Sequence, residues 1–256
     1  MDLGLKGRKA VVTGASRGIG RSIAEALADE GCDVAICARD PAQVAEAVEA
    51  LKARGVSAWG RACDIANGPD LKAFVAEAGD ALGGIGILVS NASALVQGSA
   101  DSDWQAMFDV DVLGAVRSFE AAKPFLEKTA AETGDAAFLI TASVSAAEAN
   151  SGSAYGAMKA ALIHYAKGLA REHAAKPIRV NVVSPGTVLF EGGVWGKVKE
   201  GMPQFFDQMI KRNPMGRMAT PEEIAAATAF MASPRSAFTT GINMLVDGAI
   251  SSRVNF

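Results

Sequence analysis

Apolar residues alternate along the chain between short continuous runs and longer stretches with helical spacing. The first run, Lys9 to Thr13, ends at a glycine and is typical of a buried strand. From Gly18 to Glu30 the apolar residues recur on one face of a helix. Gly31 then ends this pattern, as a glycine after a helix commonly does. The chain therefore opens with a strand followed by a helix.

The same alternation predicts elements along the whole chain. The predicted strands cover residues 9–13, 34–38, 57–63, 85–89, 137–141, 178–183 and 243–246. The predicted helices cover residues 18–30, 41–54, 70–78, 102–133, 153–175 and 221–231, with a break near Pro124. Strands separated by helices form a parallel sheet, and right-handed crossovers leave a doubly wound sheet or a barrel. One long segment without a regular pattern, about Thr187 to Arg217, is expected to be functional or mobile.

Composition narrows the class of protein. Half of the 256 residues are hydrophobic and 21% are charged, which predicts one folded domain over residues 1–256. A formal charge of −3 argues against a nucleic-acid partner. No apolar run reaches the ~18 residues of a membrane span, and the first residues lack the apolar core of a signal peptide. We therefore expect a cytoplasmic protein without a membrane partner.

The cysteines do not form a metal-binding pattern. Cys32, Cys37 and Cys63 include no CxxC pair, and the chain has only two histidines. We therefore expect no bound metal. Because all three lie around the second and third strands, we expect buried, reduced thiols.

A glycine-rich turn follows the first predicted strand, in the segment TGASRGIG that contains Gly14, Gly18 and Gly20. Glycine lets the backbone approach a phosphate closely, and the free N–H groups of the next helix attract a pyrophosphate. The spacing differs from the Gly-x-Gly-x-x-Gly of many dinucleotide sites, but the physical logic is the same. The alternative is a tight strand-to-helix turn that binds nothing.

Two arginines indicate which dinucleotide this turn would bind. Arg17 lies inside the glycine turn, and Arg39 follows the second strand, where the adenosine ribose of a dinucleotide would lie. An NAD site usually has an acid there, whereas two guanidinium groups can bind a 2′-phosphate. Asp40 is adjacent, but its place before Pro41 is explained by helix capping. The alternative is that both arginines are solvated surface residues.

Tyr155 and Lys159 lie four residues apart on one predicted helix and so share a face. A lysine ammonium nearby favours the phenolate form of a tyrosine, which would let the pair act as a general acid and base. Ser143 follows the fifth strand, where ligands gather at the carboxyl ends of parallel strands, and could hydrogen-bond a substrate oxygen. Alone, the Tyr-x-x-x-Lys spacing also fits an amphipathic helix with one exposed lysine.

Together these motifs resemble the short-chain dehydrogenase/reductase family, in particular its 3-oxoacyl-carrier-protein reductase-like members. The resemblance covers essentially the whole chain. Further matches, in the family's order, are Cys63-Asp64-Ile65, Ser90-Asn91-Ala92-Ser93, Asn181 to Thr187, Arg217 to Ala225 and Gly241 to Gly248. The resemblance implies a single Rossmann-type α/β domain with a seven-stranded parallel sheet, helices on both faces and a homotetrameric assembly.

The resemblance also implies the residues of the site. The implied catalytic residues are Ser143, Tyr155, Lys159 and Asp111. The implied cofactor-binding residues are Gly14, Ser16, Arg17, Gly18, Ile19, Gly20, Arg39, Asp64, Ile65, Asn91, Ala92, Tyr155, Lys159, Pro185, Gly186, Thr187 and Val188.

Two positions depart from the family pattern. Asp111 stands where the family usually has the asparagine of a Ser-Tyr-Lys-Asn tetrad, and a carboxylate accepts hydrogen bonds but cannot donate them. We expect an altered proton relay. Ser93 replaces a glycine beside the nicotinamide. Ser145 is a neighbour that could take the role of Ser143, although Ser143 fits the motif better.

We therefore expect an oxidoreductase that moves a hydride between the nicotinamide of NADP(H) and a carbonyl compound or secondary alcohol. NAD(H) use remains an alternative, as does a sensor that binds a dinucleotide without turnover. The segment 187–217 would form a lid over the substrate. Its many apolar residues and few acids suit an apolar or aromatic substrate better than a sugar.

Overall fold

The computed structural model describes residues 2–148 and 152–254. Its strands are β1 (Lys9–Thr13), β2 (Asp33–Ala38), β3 (Ala58–Ala62), β4 (Ile87–Ser90), β5 (Ala136–Thr141), β6 (Ile178–Pro185) and β7 (Asn243–Val246). They form one seven-stranded sheet in the order β3-β2-β1-β4-β5-β6-β7, and every neighbouring pair is parallel. The predicted doubly wound Rossmann-type sheet is confirmed.

The connections between these strands are helical. The helices are α1 (Gly18–Asp29), α2 (Pro41–Lys52), α3 (Gly68–Leu82), α4 (Asp101–Met107), α5 (Leu113–Thr133), α6 (Ala154–His173), α7 (Val194–Gly201), α8 (Pro203–Arg212) and α9 (Pro221–Ala232). None of the helices in the described ranges combines the length and apolar content that a membrane span needs.

The strand order places a crevice at the centre of the sheet. The chain moves outward from β1 through β2 to β3, then returns to pair β4 on the other side of β1. At such a reversal the connections after neighbouring strands leave in opposite directions, and ligands bind beyond the carboxyl ends there. The carboxyl ends of β1 and β4 therefore mark the expected site.

The core lies on both faces of the sheet, which explains why the strands read as continuous apolar runs. Val11 and Leu88 pack into the cluster on one face, whereas the next residues, Val12 and Val89, pack into the cluster on the other. All four side chains are fully buried. The central strands are thereby fixed in position, and with them the residues that follow each strand.

The long helix after β4 is interrupted at a different place from the one predicted. Pro124 lies inside α5 without breaking it, so the predicted break was wrong. The carbonyl that a proline leaves without its helical partner belongs to Glu120, and both residues are exposed, so water can bind there. The interruption comes earlier, in a π-helical turn (Phe108–Val112) between α4 and α5.

The segment 187–217 is more regular than predicted, because it contains α7 and α8. Phe206 of the expected apolar stripe is buried, whereas Phe205 is exposed and stacks on Trp195 with ring centroids 6.1 Å apart.

The two ends of the segment 187–217 lie side by side. The Leu189 N–H donates to the Ala219 carbonyl and the Ala219 N–H donates to the Thr187 carbonyl, both at 2.9 Å.

A buried ionic cluster lies at the opposite, amino-terminal edge of the sheet. Arg179 on β6 lies 2.7 Å from the carboxylate of Asp135, and Arg8 lies 3.0 Å from the second oxygen of that carboxylate. The Arg179 guanidinium also donates to three backbone carbonyls at the end of α9, those of Met231, Ala232 and Ser233, and to the Ser236 hydroxyl. This cluster ties β1, β5 and β6 to the end of α9.

Candidate active site

The glycine turn after β1 can be built only with glycine. Gly14 and Gly18 have φ angles of +66° and +56°, in the left-handed region that other residues rarely adopt. A Cβ on Gly14 would lie 2.8 Å from the Cα of Ala92. A Cβ on Gly20 would collide with the carbonyl oxygen of Gly14 and the side chain of Asn91. The turn therefore packs directly against the segment after β4.

The first turn of α1 presents its backbone N–H groups without a side-chain cap. Arg17 occupies the N-cap position and makes no capping hydrogen bond, and the first turn contains no acidic residue. Unsatisfied N–H groups and the helix dipole together favour an anion. This uncapped helix start, together with a turn in which Cβ atoms would not fit, matches the requirements of a dinucleotide pyrophosphate.

Thr13, the last residue of β1, joins the turn to the end of β4. Its hydroxyl accepts the N–H of Asn91 at 3.1 Å and that of Ala92 at 3.3 Å. The amide of Asn91 donates in return to the carbonyl oxygens of Thr13 and Gly14. Thr13 was not among the predicted site residues, although a polar residue at the end of an apolar strand was a usable signal.

The predicted adenosine end lies beyond β2 and β3. Arg39 and Asp64 are exposed there, while Ile65 is buried. Asp40 is the N-cap of α2 as predicted, since its carboxylate accepts the N–H of Ala42 at 2.9 Å. The carboxylate next to Arg39 is thus already committed to the helix, which leaves the arginine as the charge available to a ligand.

Two residues of the glycine turn contact other parts of the chain. The Ser16 hydroxyl lies 3.2 Å from the Gln43 side-chain oxygen. The exposed Arg17 guanidinium donates to the Gly192 carbonyl at 3.2 Å, so the predicted lid touches the turn. Ile19 is half-buried behind them.

Phe190 lies directly over the glycine turn. A Cβ on Gly18 would be 2.5 Å from the Phe190 ring, and one on Gly193 would be 2.7 Å from it. Glycine at both positions therefore makes room for this ring. Phe190 was predicted only as one of the apolar residues of the lid, because no local pattern indicated what it packs against.

The segment after β6 presents an unpartnered polar atom. Pro185 ends β6, and Gly186 packs against Asp247, whose Cα would be 2.8 Å from a Cβ at that glycine. Next, the Thr187 hydroxyl is buried without a hydrogen-bond partner among the described residues, and Val188 is buried beside it. A buried hydroxyl without a partner fits a polar ligand group such as the nicotinamide carboxamide.

Lys159 is held from two sides beneath the carboxyl end of β5. Its ammonium lies 2.9 Å from an Asp111 carboxylate oxygen and donates to the Thr141 carbonyl at 3.0 Å. Both charged side chains belong to residues that are only 2% exposed. The second Asp111 oxygen accepts the Ala94 N–H at 2.9 Å. The sequence could not show the Thr141 contact, which uses only the backbone.

The charge state of Lys159 follows from these neighbours. Burial opposes the ammonium form, but the negative charge of Asp111, followed by the influence of Tyr155, raises the pKa of Lys159 above its ordinary value. Lys159 is therefore an ammonium throughout the neutral range.

The helix that carries Tyr155 packs on the turn that carries Ser143. A Cβ on Gly156 would lie 2.7 Å from the Ser145 carbonyl oxygen, so this glycine permits the close approach. Ser143 is buried and its hydroxyl accepts the Ser145 N–H at 3.1 Å, which ties up one lone pair of the hydroxyl. Tyr155 is half-buried, and the Lys159 ammonium lies 5.7 Å from the centre of its ring.

Asp111 reaches Lys159 because of the π-helical turn. Phe108 to Val112 have helical backbone angles but a wider hydrogen-bond pattern, which directs Asp111 inward while Phe108 is exposed. The close approach of Gly114 to Ile65 fixes the turn in place. Apolar periodicity cannot distinguish a five-residue π turn from an α-helix, so this turn could not be predicted from the sequence.

Comparison with known proteins agrees with this geometry. A family model described as Enoyl-(Acyl carrier protein) reductase matches residues 14–251. Isoepoxydon dehydrogenase patN from Penicillium expansum is 33% identical over 264 residues, covering 100% of this chain and 99% of that protein. The 3-oxoacyl-(acyl-carrier-protein) reductase FabG from Staphylococcus aureus is 33% identical over 251 residues, covering 95% and 98%.

A solved structure is similar over the same length. The crystal structure of L-sorbose reductase from Gluconobacter frateurii, complexed with NADPH and L-sorbose, matches with a TM-score of 0.91 and 31% identity. The match covers 99% of this chain and 100% of that one. The chain therefore belongs to the short-chain dehydrogenase/reductase family and is an oxidoreductase of CH–OH or carbonyl groups.

Proposed function

We propose that this protein is an NADP(H)-dependent reductase that interconverts a carbonyl compound and a secondary alcohol, with an apolar or aromatic substrate. The observation that carries the proposal is the buried Lys159, one helical turn from Tyr155, on a helix packed against the Ser143 turn. This group lies at the carboxyl edge of the sheet, where the glycine turn also lies.

Each residue of this group has a separate task. Ser143 and Tyr155 would hold the substrate oxygen by hydrogen bonds, which stabilises the negative charge that develops there. Tyr155 would donate its phenolic proton to that oxygen. Lys159 would place its positive charge beside Tyr155 and bind the ribose hydroxyls. When bound, the reduced nicotinamide supplies the hydride.

The residues that would hold the dinucleotide lie along the same edge. Gly14, Gly18 and Gly20 would leave room for the pyrophosphate, with the N–H groups at the start of α1 as donors. Asn91 would keep the end of β4 in position, and Thr187 would bind the carboxamide. The other residues of the proposed cofactor site are Ser16, Ile19, Asp64, Ile65, Ala92, Pro185, Gly186 and Val188.

The proposed preference for NADP(H) depends on Arg17 and Arg39. In the Arg17→Ala/Arg39→Ala variant we expect the NADPH-to-NADH ratio of kcat/KM to fall by about 10²-fold, since each charge-assisted pair contributes about 1.5–3 kcal/mol. Fluorescence titration of both cofactors, followed by steady-state kinetics, measures the ratio. Arg171→Ala, an exposed arginine at the end of α6, is the control. An unchanged ratio would instead support an NAD-dependent dehydrogenase.

The substrate class is inferred from the lid. Val194, Met202 and Phe205 are exposed on α7 and α8 or between them, and Phe205 stacks on Trp195. We propose that this segment, residues 187–217, covers the substrate and favours apolar or aromatic carbonyl compounds. A panel of aromatic ketones, 3-oxoacyl thioesters, enoyl thioesters and ketoses, assayed by NADPH oxidation, tests this. Preference for ketoses, as the name of L-sorbose reductase suggests for that protein, would contradict it.

Binding without turnover is the alternative that the kinetic panel must exclude. A sensor would bind NADPH through the glycine turn and would reduce none of the panel. The placement of Tyr155 and Lys159 on a helix that packs against the Ser143 turn favours the enzyme, because a proton donor in that place has a clear role in turnover.

We further propose a cytoplasmic homotetramer. Cys32, Cys37 and Cys63 are buried and free, and burial raises the pKa of Cys32 to about 12, which suits a reducing compartment. Phe238 is fully exposed and Ile242 is exposed next to the edge strand β7, as expected of a surface that a second copy covers. Sedimentation equilibrium tests the assembly, and a monomer would contradict it.

A further inference from the structure

The ion pair between Asp111 and Lys159 has a consequence for a third group, Tyr155. The two opposite charges are 2.9 Å apart, and both residues are almost fully buried. The Asp111 carboxylate is also anchored by the Ala94 N–H, and the Lys159 ammonium by the Thr141 carbonyl. The pair is therefore fixed in position as well as close.

A lone ammonium and a neutral ion pair act differently on a nearby phenol. An ammonium by itself favours the phenolate, since opposite charges within about 4–6 Å stabilise each other. A carboxylate in contact with that ammonium cancels most of its field at a third group. With an asparagine at position 111, as in the family pattern, the same lysine would act on the tyrosine as an uncompensated positive charge.

Other carboxylates lie on the elements next to Tyr155 and Lys159. Asp101 of α4 is exposed, whereas Asp109 of the π turn is half-buried and its carboxylate accepts from the Gln105 side chain at 2.9 Å. Glu148 follows the turn after Ser143 and lies at half-buried depth. Asp111 and Tyr155 are the neighbours that raise the pKa of Lys159, against the opposing effect of burial.

We propose that Asp111 neutralises the Lys159 ammonium and thereby keeps Tyr155 protonated near neutral pH. Asp111 is then a positioning residue that acts through Lys159. A protonated tyrosine can donate to a substrate oxygen but cannot accept the proton of an alcohol. Under the proposed function, the consequence is an enzyme set for reduction at neutral pH, with alcohol oxidation confined to more alkaline solution.

The chain offers a direct spectroscopic test, because it has only two tyrosines, Tyr155 and Tyr165. Burial, with smaller contributions from Glu120 and Glu172, raises the pKa of Tyr165 well above its ordinary value. In a Tyr165→Phe background the ultraviolet absorbance of tyrosinate reports Tyr155 alone. The titration needs neither cofactor nor substrate, so its outcome is independent of whether the proposed function is correct.

The test compares Asp111→Asn with Asp109→Asn in that background, with circular dichroism to confirm folding. Asn keeps an oxygen for the Ala94 N–H and removes only the charge. We expect the Tyr155 midpoint to fall by about 1–3 pH units in Asp111→Asn. The Asp109→Asn control should leave the midpoint unchanged. An unchanged or higher midpoint in Asp111→Asn would overturn the proposal.

A double variant keeps the test decisive if Asp111→Asn does not fold. Asp111→Asn/Lys159→Met removes both buried charges together, which protein cores tolerate better than the loss of one partner. If the charges of Asp111 and Lys159 cancel at Tyr155, the removal of both leaves the Tyr155 titration midpoint close to that of the Tyr165→Phe parent. A midpoint raised by a full pH unit or more would show that Lys159 acts as an uncompensated cation, contrary to the proposal.

Discussion

Replacing Tyr155 with phenylalanine is expected to lower kcat for carbonyl reduction by about 10²–10⁴-fold, the usual contribution of a positioned general acid. The substitution removes the phenolic oxygen and keeps the ring that lies 5.7 Å from the Lys159 ammonium. NADPH binding should change little, because the glycine turn and the start of α1 are untouched. Single-turnover kinetics and fluorescence titration measure the two effects separately.

Tyr165→Phe is the matched control for this experiment. It makes the same chemical change on the same helix, α6, but Tyr165 packs against the core away from Ser143 and Lys159. It should keep nearly full activity. Comparable activity in Tyr155→Phe and wild type would remove Tyr155 from the mechanism, whereas loss of both turnover and NADPH binding would indicate a structural role.

Replacing Arg179 with methionine is expected to lower the free energy of unfolding by about 3–5 kcal/mol, the usual cost of removing one partner from a buried ion pair. Arg179 is only 4% exposed, and its guanidinium satisfies the Asp135 carboxylate as well as the carbonyls of Met231, Ala232 and Ser233. Methionine fills much of the volume but donates to none of these groups, and Arg8 is the guanidinium that remains beside Asp135. Urea unfolding at a fixed protein concentration measures the loss.

The control for this second experiment is Arg235→Met, an exposed arginine in the neighbouring 3₁₀ turn (Pro234–Ser236) that donates to the Asp2 carbonyl. It should cost less than about 1 kcal/mol, as exposed pairs do. Adding Asp135→Asn to Arg179→Met should recover part of the loss, because it removes the buried charge left without its main partner. If Arg179→Met unfolds at the wild-type midpoint, the buried cluster does not stabilise the fold.

The sequence predicted the sheet well, because strands buried on both faces leave an unmistakable apolar run. β1 and β7 were predicted with their observed ends, and the other strands to within a few residues. The glycine turn could also be recognised, since its function requires a residue type as well as a spacing. Both kinds of signal are local along the chain.

Features that depend on distant contacts could not be predicted. The π turn that directs Asp111 inward has the same periodicity as its helical neighbours. The position of Phe190 over Gly18 joins residues that are far apart in the sequence. Lys159 is held by the backbone carbonyl of Thr141. Every residue has such a carbonyl, so the side-chain sequence contains no signal of this contact. Pro124 shows the opposite error. A proline is a strong local signal for a helix break, but α5 continues through it because the carbonyl left without its partner is exposed to water.

The two ends of the segment 187–217 are paired with each other, and this pairing has a consequence for evolution and engineering. Thr187, Leu189 and Ala219 hold its two ends together with backbone hydrogen bonds, which place no demand on side chains. The closure cost of a loop grows only slowly with its length, so residues 194–212, which form α7 and α8 between Phe190 and Asn213, can be lengthened, shortened or exchanged while the sheet stays intact. If this segment covers the substrate as proposed, an exchange of α7 and α8 should change the substrate preference without a change in the sheet.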